Sequence, residues 1–149
     1  MKNLKKILTL TATVLVGGYL YLNDAGLLAP QPAGPVVAPP THALAEAYRR
    51  QLSDVQVEGQ GVVSRILPDD REGSRHQRFV LRLGDGHTVL VAHNIDLAPR
   101  INALREDDTV SFYGEYEWNS KGGVIHWTHH DPDGRHVDGW LRHQGRLYQ

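Results

Sequence analysis

The sequence contains no cysteine, which excludes disulfides, thiolate metal sites, cysteine nucleophiles and a lipid anchor on cysteine. It also lacks an excess of either charge, because the formal net charge is -1 at pH 7 with histidine neutral. A chain with so small a net charge has no general attraction for nucleic acids or membrane surfaces. Nine histidines are present, and their unperturbed pKa near ~6.5 would make the chain cationic in mild acid.

The amino terminus is typical of a secretory address. Lys2, Lys5 and Lys6 precede an apolar run over residues 7–22, a pattern that predicts an uncleaved signal anchor within residues 1–29. A cleaved signal peptide is the alternative. The positive-inside rule then places the rest of the chain outside the cytoplasm. The predicted location is the cell envelope, anchored in the inner membrane through the N-terminal helix and facing the periplasm or exterior, or secreted after cleavage.

Residues 30–53 are predicted to form a proline-rich linker that ends in a short helix. Five of the chain's eight prolines lie between Pro30 and Pro40, which favours an extended, semi-rigid chain. Apolar positions in residues 41–52 recur at helical spacing, and the Thr41 side chain suits an N-cap.

Residues 54–149 are predicted to be mostly β, with a small helical content. Alternating polar and apolar residues predict five strands, over residues 55–67, 76–83, 87–93, 109–118 and 123–129. A short helix is predicted over residues 95–104, between the third and fourth strands. This order resembles the OB-fold, a five-stranded closed barrel with its helix in that place. Another small antiparallel barrel or sandwich is the alternative, because one sequence does not fix the strand order.

Four sequence blocks carry a second resemblance: PDDREGSRHQRF, HNIDLAPRI, EYEWNSKGGVIHWTHHDP and GRHVDGW. Together they resemble an uncharacterised bacterial family of short envelope-associated proteins, over roughly residues 55–149. The resemblance implies an envelope location and one compact domain. It implies no catalytic residue.

The segment 115–140 is the richest in side chains that can bind a ligand, with all three tryptophans and four of the nine histidines. In an OB-type barrel the third and fifth strands run parallel, so their carboxyl ends are neighbours. We therefore predict a polar rim formed by Asp69, Asp70, His76, His93, Asn94, Asp96, His129, His130 and Asp131. The predicted binding residues are His76, Arg78, Arg82, His93, Asn94, Asp96, Trp127 and His129.

A transition metal is one interpretation of the rim. Zinc, copper or nickel could bind to His76, His93, His129, His130 and Asp131, since imidazole and carboxylate ligands suit these ions. The histidine spacing matches no defined zinc motif, so the alternative is partly buried histidines bonded to nearby acids and carbonyls. In a strand over residues 123–129, His126 and Thr128 would share one face, and Trp127 and His129 the other.

Aromatic side chains on the fourth and fifth strands also have two interpretations. With Arg78 and Arg82 they could stack on a polyanion such as a nucleic-acid strand, or on a glycan. Large aromatic residues also fill the core of small barrels, and this interpretation is favoured for Trp118 and Trp127. The two arginines would then simply face solvent.

These patterns predict an envelope-located binding module with an unknown ligand. The alternative is a metal-dependent hydrolase of the phosphodiesterase or nuclease class that uses the same rim. His76 or His129 beside an aspartate would supply a base and its orienting partner. The serines lie in no recognised nucleophile motif, so hydrolysis would require water activated on a metal.

Overall fold

The computed structural model describes residues 40–149 of the chain. Within them, strands form where buried and exposed residues alternate. The elements are α1 (Pro40–Arg49), β1 (Val55–Asp70), β2 (His76–Arg82), β3 (Thr88–Asn94), β4 (Thr109–Glu117), β5 (Val124–His126), β6 (Trp140–His143) and β7 (Arg146–Tyr148). The prediction of a mostly β domain with little helix is confirmed.

Five of the strands close into a ring of hydrogen-bonded neighbours. β2 pairs antiparallel with both β1 and β3, and β3 pairs parallel with β5, as the sequence predicts. β5 pairs antiparallel with β4, and β4 pairs antiparallel with β1, which completes the ring. The long β1 bends, because its first half pairs with β4 and its second half with β2. The carboxyl ends of β3 and β5 therefore lie side by side.

The inward face of the ring holds the hydrophobic core, to which α1 contributes Leu44 and Ala47. The helix packs against β1, and the ring of Tyr48 lies 4.4 Å from that of His87, just before β3. The fully buried strand side chains include Val57, Phe79, Leu81, Val91, Phe112, Tyr116, Ile125 and Leu141. The predicted inward face of β2, with Phe79 and Leu81, is confirmed.

The predicted helix over residues 95–104 is wrong, since this segment is a series of turns. Pro99 has no N–H to donate within a helix. A tertiary contact also replaces the helical bonds, because the N–H of Ile101 donates to Oε1 of Gln77 at 2.9 Å and its carbonyl accepts from Nε2 of the same side chain at 3.0 Å.

The predicted fifth strand is shorter than expected, and two strands follow it that the sequence interpretation missed. β5 ends at His126 because Trp127 has a left-handed backbone, with φ at 50°. The chain then forms a loop over residues 128–139 and returns to the same edge of β4 as β6. Gln144 and Gly145, both with positive φ, make the two-residue turn between β6 and β7.

The predicted anchor and most of the predicted proline-rich linker lie outside the described residues. In the described part of the chain, no helix combines the length and hydropathy of a membrane span.

Candidate binding site

A cavity of about 160 Å³ opens on the outward face of the ring, where β2 begins and β3 and β5 end. Its lining residues are His76, Ala92, Asn94, Leu97, His126, Trp127 and His129. We call this cavity the histidine pocket. His76 and Asn94 are partners in the β2–β3 register, and the parallel β5 brings His126 to the same face. Ala92 is the small outward residue between them, which leaves space above the sheet.

Two pocket histidines have a fixed tautomer. Nδ1 of His76 lies 2.8 Å from the carbonyl oxygen of Ser74, and Nδ1 of His129 lies 2.6 Å from that of His130. A carbonyl oxygen only accepts, so Nδ1 carries a proton in both rings, and in the neutral ring Nε2 holds the lone pair. Neither Nε2 has a hydrogen-bond partner within residues 40–149. The pocket is therefore lined by two imidazole acceptors.

The third pocket histidine, His126, faces two carboxylates. Its Nε2 lies 3.5 Å from Glu115 and 3.7 Å from Glu117, beyond good hydrogen-bonding distance. Burial lowers the pKa of His126, and the two carboxylates oppose that shift. Gln56 and His126 are both register partners of Glu115, and each holds a buried nitrogen that no group in residues 40–149 satisfies.

Trp127 forms one side of the histidine pocket and is held by the 128–139 loop. Its indole stacks on the ring of His136 at 3.8 Å with 16° between the planes. The rings of His129 and His126 lie 5.4 and 6.5 Å from the indole. Three imidazoles therefore surround one indole. The half-buried Trp127 lies outside the core cluster, so the prediction that it fills the core is wrong.

Many polar groups of the 128–139 loop form hydrogen bonds within the loop. Oxygens of Asp131 accept the backbone N–H groups of Asp133, Arg135 and His136. These donors hold the pKa of the Asp131 carboxyl below its usual range, with the N–H of Asp133 as the largest cause. Asp138 accepts the N–H of Asp131, and its other oxygen lies 3.0 Å from Nδ1 of His130. Asp131 thus acts as a turn-forming residue.

On the inward face behind the pocket, the histidine side chain is buried and has no contact with solvent. His93 is fully buried, its Nε2 donates to the carbonyl of Pro99 at 3.2 Å, and its Nδ1 accepts from the hydroxyl of Thr128 at 2.8 Å. Burial lowers the pKa of His93 from 6.5 to about 4. The neutral ring is fully hydrogen-bonded and faces away from the pocket.

The structure brings together half of the predicted binding residues. His76, Asn94, Trp127 and His129 line one cavity.

The other four predicted binding residues have other surroundings. His93 is sealed inside, and Asp96 accepts the backbone N–H of Arg75 at 2.7 Å as well as its side chain. Arg78 donates to the carbonyl of Pro68 at 3.1 and 3.0 Å. Arg82 lines a separate cavity of about 430 Å³ at the other end of β2.

The predicted metal ligands are also separated. His76 and His129 line the pocket, whereas His93 is sealed, His130 faces Asp138, and Asp131 binds loop N–H groups. As the side chains stand, residues 40–149 contain no group of three or more histidine, aspartate or glutamate side chains placed to hold a metal ion. A zinc, copper or nickel site remains a prediction.

Three lining residues of the histidine pocket are absent from the predicted binding residues: Ala92, Leu97 and His126. The predicted strand alternation placed His126 on the face opposite His129. Ala92 is the smallest residue among the outward positions of β3. Since the alternation of β3 assigns those positions, the sequence alone could have indicated open space at Ala92. Leu97, which is 47% exposed, follows from the turn conformation of residues 95–98 and could not be read from the sequence.

The comparison with known families agrees with the resemblance to an uncharacterised one. A family described as "Protein of unknown function (DUF3465)" matches residues 27–149. The chain belongs to the DUF3465 family. No curated protein is significantly similar to it. The DUF3465 match includes every residue of the histidine pocket.

Proposed function

We propose that residues 54–149 form an OB-like barrel that acts as a binding module, with the histidine pocket as its ligand site. The pairing order supports the barrel, because the ring closes through β1 and β4 and its third and fifth strands are parallel. The outward face of strands two and three is also the face on which OB-folds take ligands. The polyanion and glycan predicted from the sequence remain candidate ligands.

The observation that carries this proposal is that His76 and His129 both line one cavity and each has an Nε2 atom without a hydrogen-bond partner in residues 40–149. Buried polar atoms are normally hydrogen-bonded, and the neighbouring inward groups follow that rule, whereas the buried Nε2 of the third pocket histidine, His126, has no partner in residues 40–149. Two acceptors with fixed tautomers, on residues that line one cavity, provide hydrogen-bonding capacity that a ligand can use. His129 is only 3% exposed, so a ligand that reaches its Nε2 must enter the pocket.

The test is an NMR titration of the full chain, purified without a histidine tag. The probes are small amines, oligosaccharides, a short oligonucleotide, and zinc, copper and nickel ions. We expect at least one class to shift the signals of His76, Trp127 and His129. Ala92→Leu fills the pocket and should abolish that shift, whereas the smaller change Ala92→Ser should preserve it. The proposal is overturned if no probe shifts these signals, or if Ala92→Leu leaves the response unchanged.

A metal-dependent hydrolase that uses the same pocket is the alternative from the sequence. It requires that a metal probe shift the three pocket signals and that the loaded protein cleave a phosphodiester substrate. Metal-dependent cleavage that His129→Ala abolishes would replace the binding function by this one.

We also propose that the domain works in the cell envelope, held there by the N-terminal segment. The support is the basic start followed by an apolar run in residues 2–22. Fusion of a reporter that is active only outside the cytoplasm to Gln149 should give activity. A reporter that is active only in the cytoplasm should be silent, and its activity would refute this location.

A further inference from the structure

The histidine pocket has the chemistry of a site for a primary ammonium group. We infer that the pocket binds the –NH₃⁺ group of an amine, with N–H groups donated to Nε2 of His76 and of His129. This inference rests on the binding function proposed above and names the ligand class. A lysine side chain and a free amine share this chemistry, so the experiment distinguishes between these two sources.

The arrangement of acceptors favours an ammonium over a guanidinium group. The lone pairs of His76 and His129 come from two separate rings, one at the start of β2 and one beyond the end of β5. An ammonium group has three N–H donors that diverge around a compact charge. A guanidinium group has coplanar donors that suit a planar, bidentate acceptor such as a carboxylate.

The charge around the pocket favours a cation. Glu115 and Glu117 lie beside His126, and within residues 40–149 neither has a lysine or arginine partner. Two arginines on this part of the sheet are already engaged, because Arg75, just before β2, pairs with Asp96, and Arg78 of β2 donates to a backbone carbonyl. The nearest basic groups to the two carboxylates are imidazoles, since His126 lies beside both and Nδ1 of His136 lies 3.8 Å from Glu115. Carboxylates without a lysine or arginine partner next to a partly buried cavity attract a cation and repel an anion.

The size and surface of the pocket fit an amine head group on an aliphatic stem. A cavity of about 160 Å³ is well below the volume of a typical drug-sized site, and it has room for a small head group. Trp127 lines it, and an indole face attracts an ammonium that lies within about 6 Å of the ring centroid. Ala92 and Leu97 supply apolar surface for methylene groups, as aliphatic stems pack along such surfaces.

Matched probes separate the contributions of charge and of N–H donors. We use n-butylammonium, n-butyltrimethylammonium, which keeps the charge without donors, and 1-butanol, which keeps a donor without charge. The readouts are the pocket signals in NMR and the emission of Trp127 in a Trp118→Phe, Trp140→Phe background. We expect n-butylammonium to bind about tenfold more tightly than either analogue, because it alone combines charge with several donors.

Variants locate the site without relying on a single fold-sensitive change. His76→Phe keeps a ring and removes one acceptor, and Glu115→Gln removes charge while keeping shape. Each should weaken n-butylammonium binding about fivefold to tenfold. The controls are His42→Phe and Glu106→Gln, which change exposed residues away from the pocket and should leave the affinity unchanged.

Equal binding of the trimethyl analogue or of 1-butanol would overturn the inference. So would unchanged affinity in both His76→Phe and Glu115→Gln. If a glycan or metal binds in a manner that Ala92→Leu blocks while n-butylammonium does not bind, the ammonium inference fails and the binding function stands. Tighter binding of a lysine peptide with a blocked amino terminus than of putrescine identifies a protein source of the ammonium group. The reverse order identifies a free amine.

Discussion

Where β2 begins and β3 ends, the two faces of the sheet differ in whether their polar side chains have hydrogen-bond partners. On the inward face, Gln77 and His93 have each side-chain hydrogen-bonding atom paired, with Ile101, Pro99 and Thr128 as the partners. On the outward face, next to Gln77 in sequence, His76 lines a cavity, and its Nε2 has no partner in residues 40–149.

This difference separates polar groups that build the fold from polar groups that are available to a ligand. A fully paired buried network fixes one arrangement of the chain and is costly to disturb. An unpaired acceptor at a cavity contributes little to the fold and can be changed at little cost. Substitutions on the inward face should therefore change stability, and those on the outward face should change binding.

The largest expected effect is that of Gln77→Leu on the inward face. The change leaves the buried N–H and carbonyl of Ile101 without partners, at about 4 kcal/mol of unfolding free energy in total. Urea denaturation measures it. Gln60→Leu, at an exposed position of β1, is the control and should stay within about 0.5 kcal/mol of the parent. Equal losses in the two variants would contradict the account of the inward network.

The free energy of unfolding should depend on pH through His93, by about 3 kcal/mol. Its pKa is about 4 in the folded chain and near 6.5 when unfolded, so between these values the unfolded state binds more protons. The contribution of His93 is thus fully present above pH ~6.5 and is lost as the pH falls toward 4. Denaturation at pH 7 and pH 4.5 measures the slope. His93→Asn should reduce it and His42→Asn should not, and equal slopes would refute the assignment to His93.

Gly139→Ala should disturb the outward face at a cost of about 2 kcal/mol. An added Cβ would lie 1.9 Å from the carbonyl oxygen of Trp127 and 2.6 Å from that of Tyr113, so the 128–139 loop must move. Trp127 emission should change while the NMR signals of Gln77, whose side chain bonds Ile101 outside this loop, stay in place. Gly84→Ala, where an added Cβ meets nothing within 4 Å, is the matched control. A shift of the Gln77 signals as large as that of Trp127 would show that the two faces are coupled.

The smallest effect is expected for His136→Ala, at about 1 kcal/mol or less. The change removes the ring stacked on Trp127 and leaves the ring of strands intact. Trp127 emission in the Trp118→Phe, Trp140→Phe background should respond clearly, and His42→Ala should give no response. An unchanged emission spectrum would mean that the 128–139 loop does not hold the indole.

The alternation of the sequence was sufficient to predict the strands that form the ring, and the likeness of their order to the OB-fold predicted the meeting of His76, Asn94 and His129. The strands follow from a two-residue alternation, which is a local property of the sequence. The meeting of the three residues follows from the parallel pairing of β3 and β5, which is a property of the strand order. The mostly β class follows from the same signals.

The end of β5 and the turns over residues 95–104 depended on contacts that a single sequence does not show. The left-handed backbone of Trp127 ends β5, so the predicted face alternation of residues 126–130 fails, and buried His129 follows buried Thr128. The bond from Gln77 to Ile101 joins residues far apart in sequence and replaces a helix. The Gln144-Gly145 turn was a readable hairpin signal that was missed.

The meeting of β5 and β6 on one edge of β4 has a consequence for how such proteins diverge. The 128–139 loop starts and ends at adjacent points, since the N–H of Gly139 donates to the carbonyl of His129 at 2.9 Å. Lengthening a loop with closed ends costs little, about 0.6 kcal/mol for each doubling. Insertions and exchanges in residues 130–138 can therefore alter one side of the pocket while the five-stranded ring is inherited unchanged, so ligand preference and fold can evolve separately.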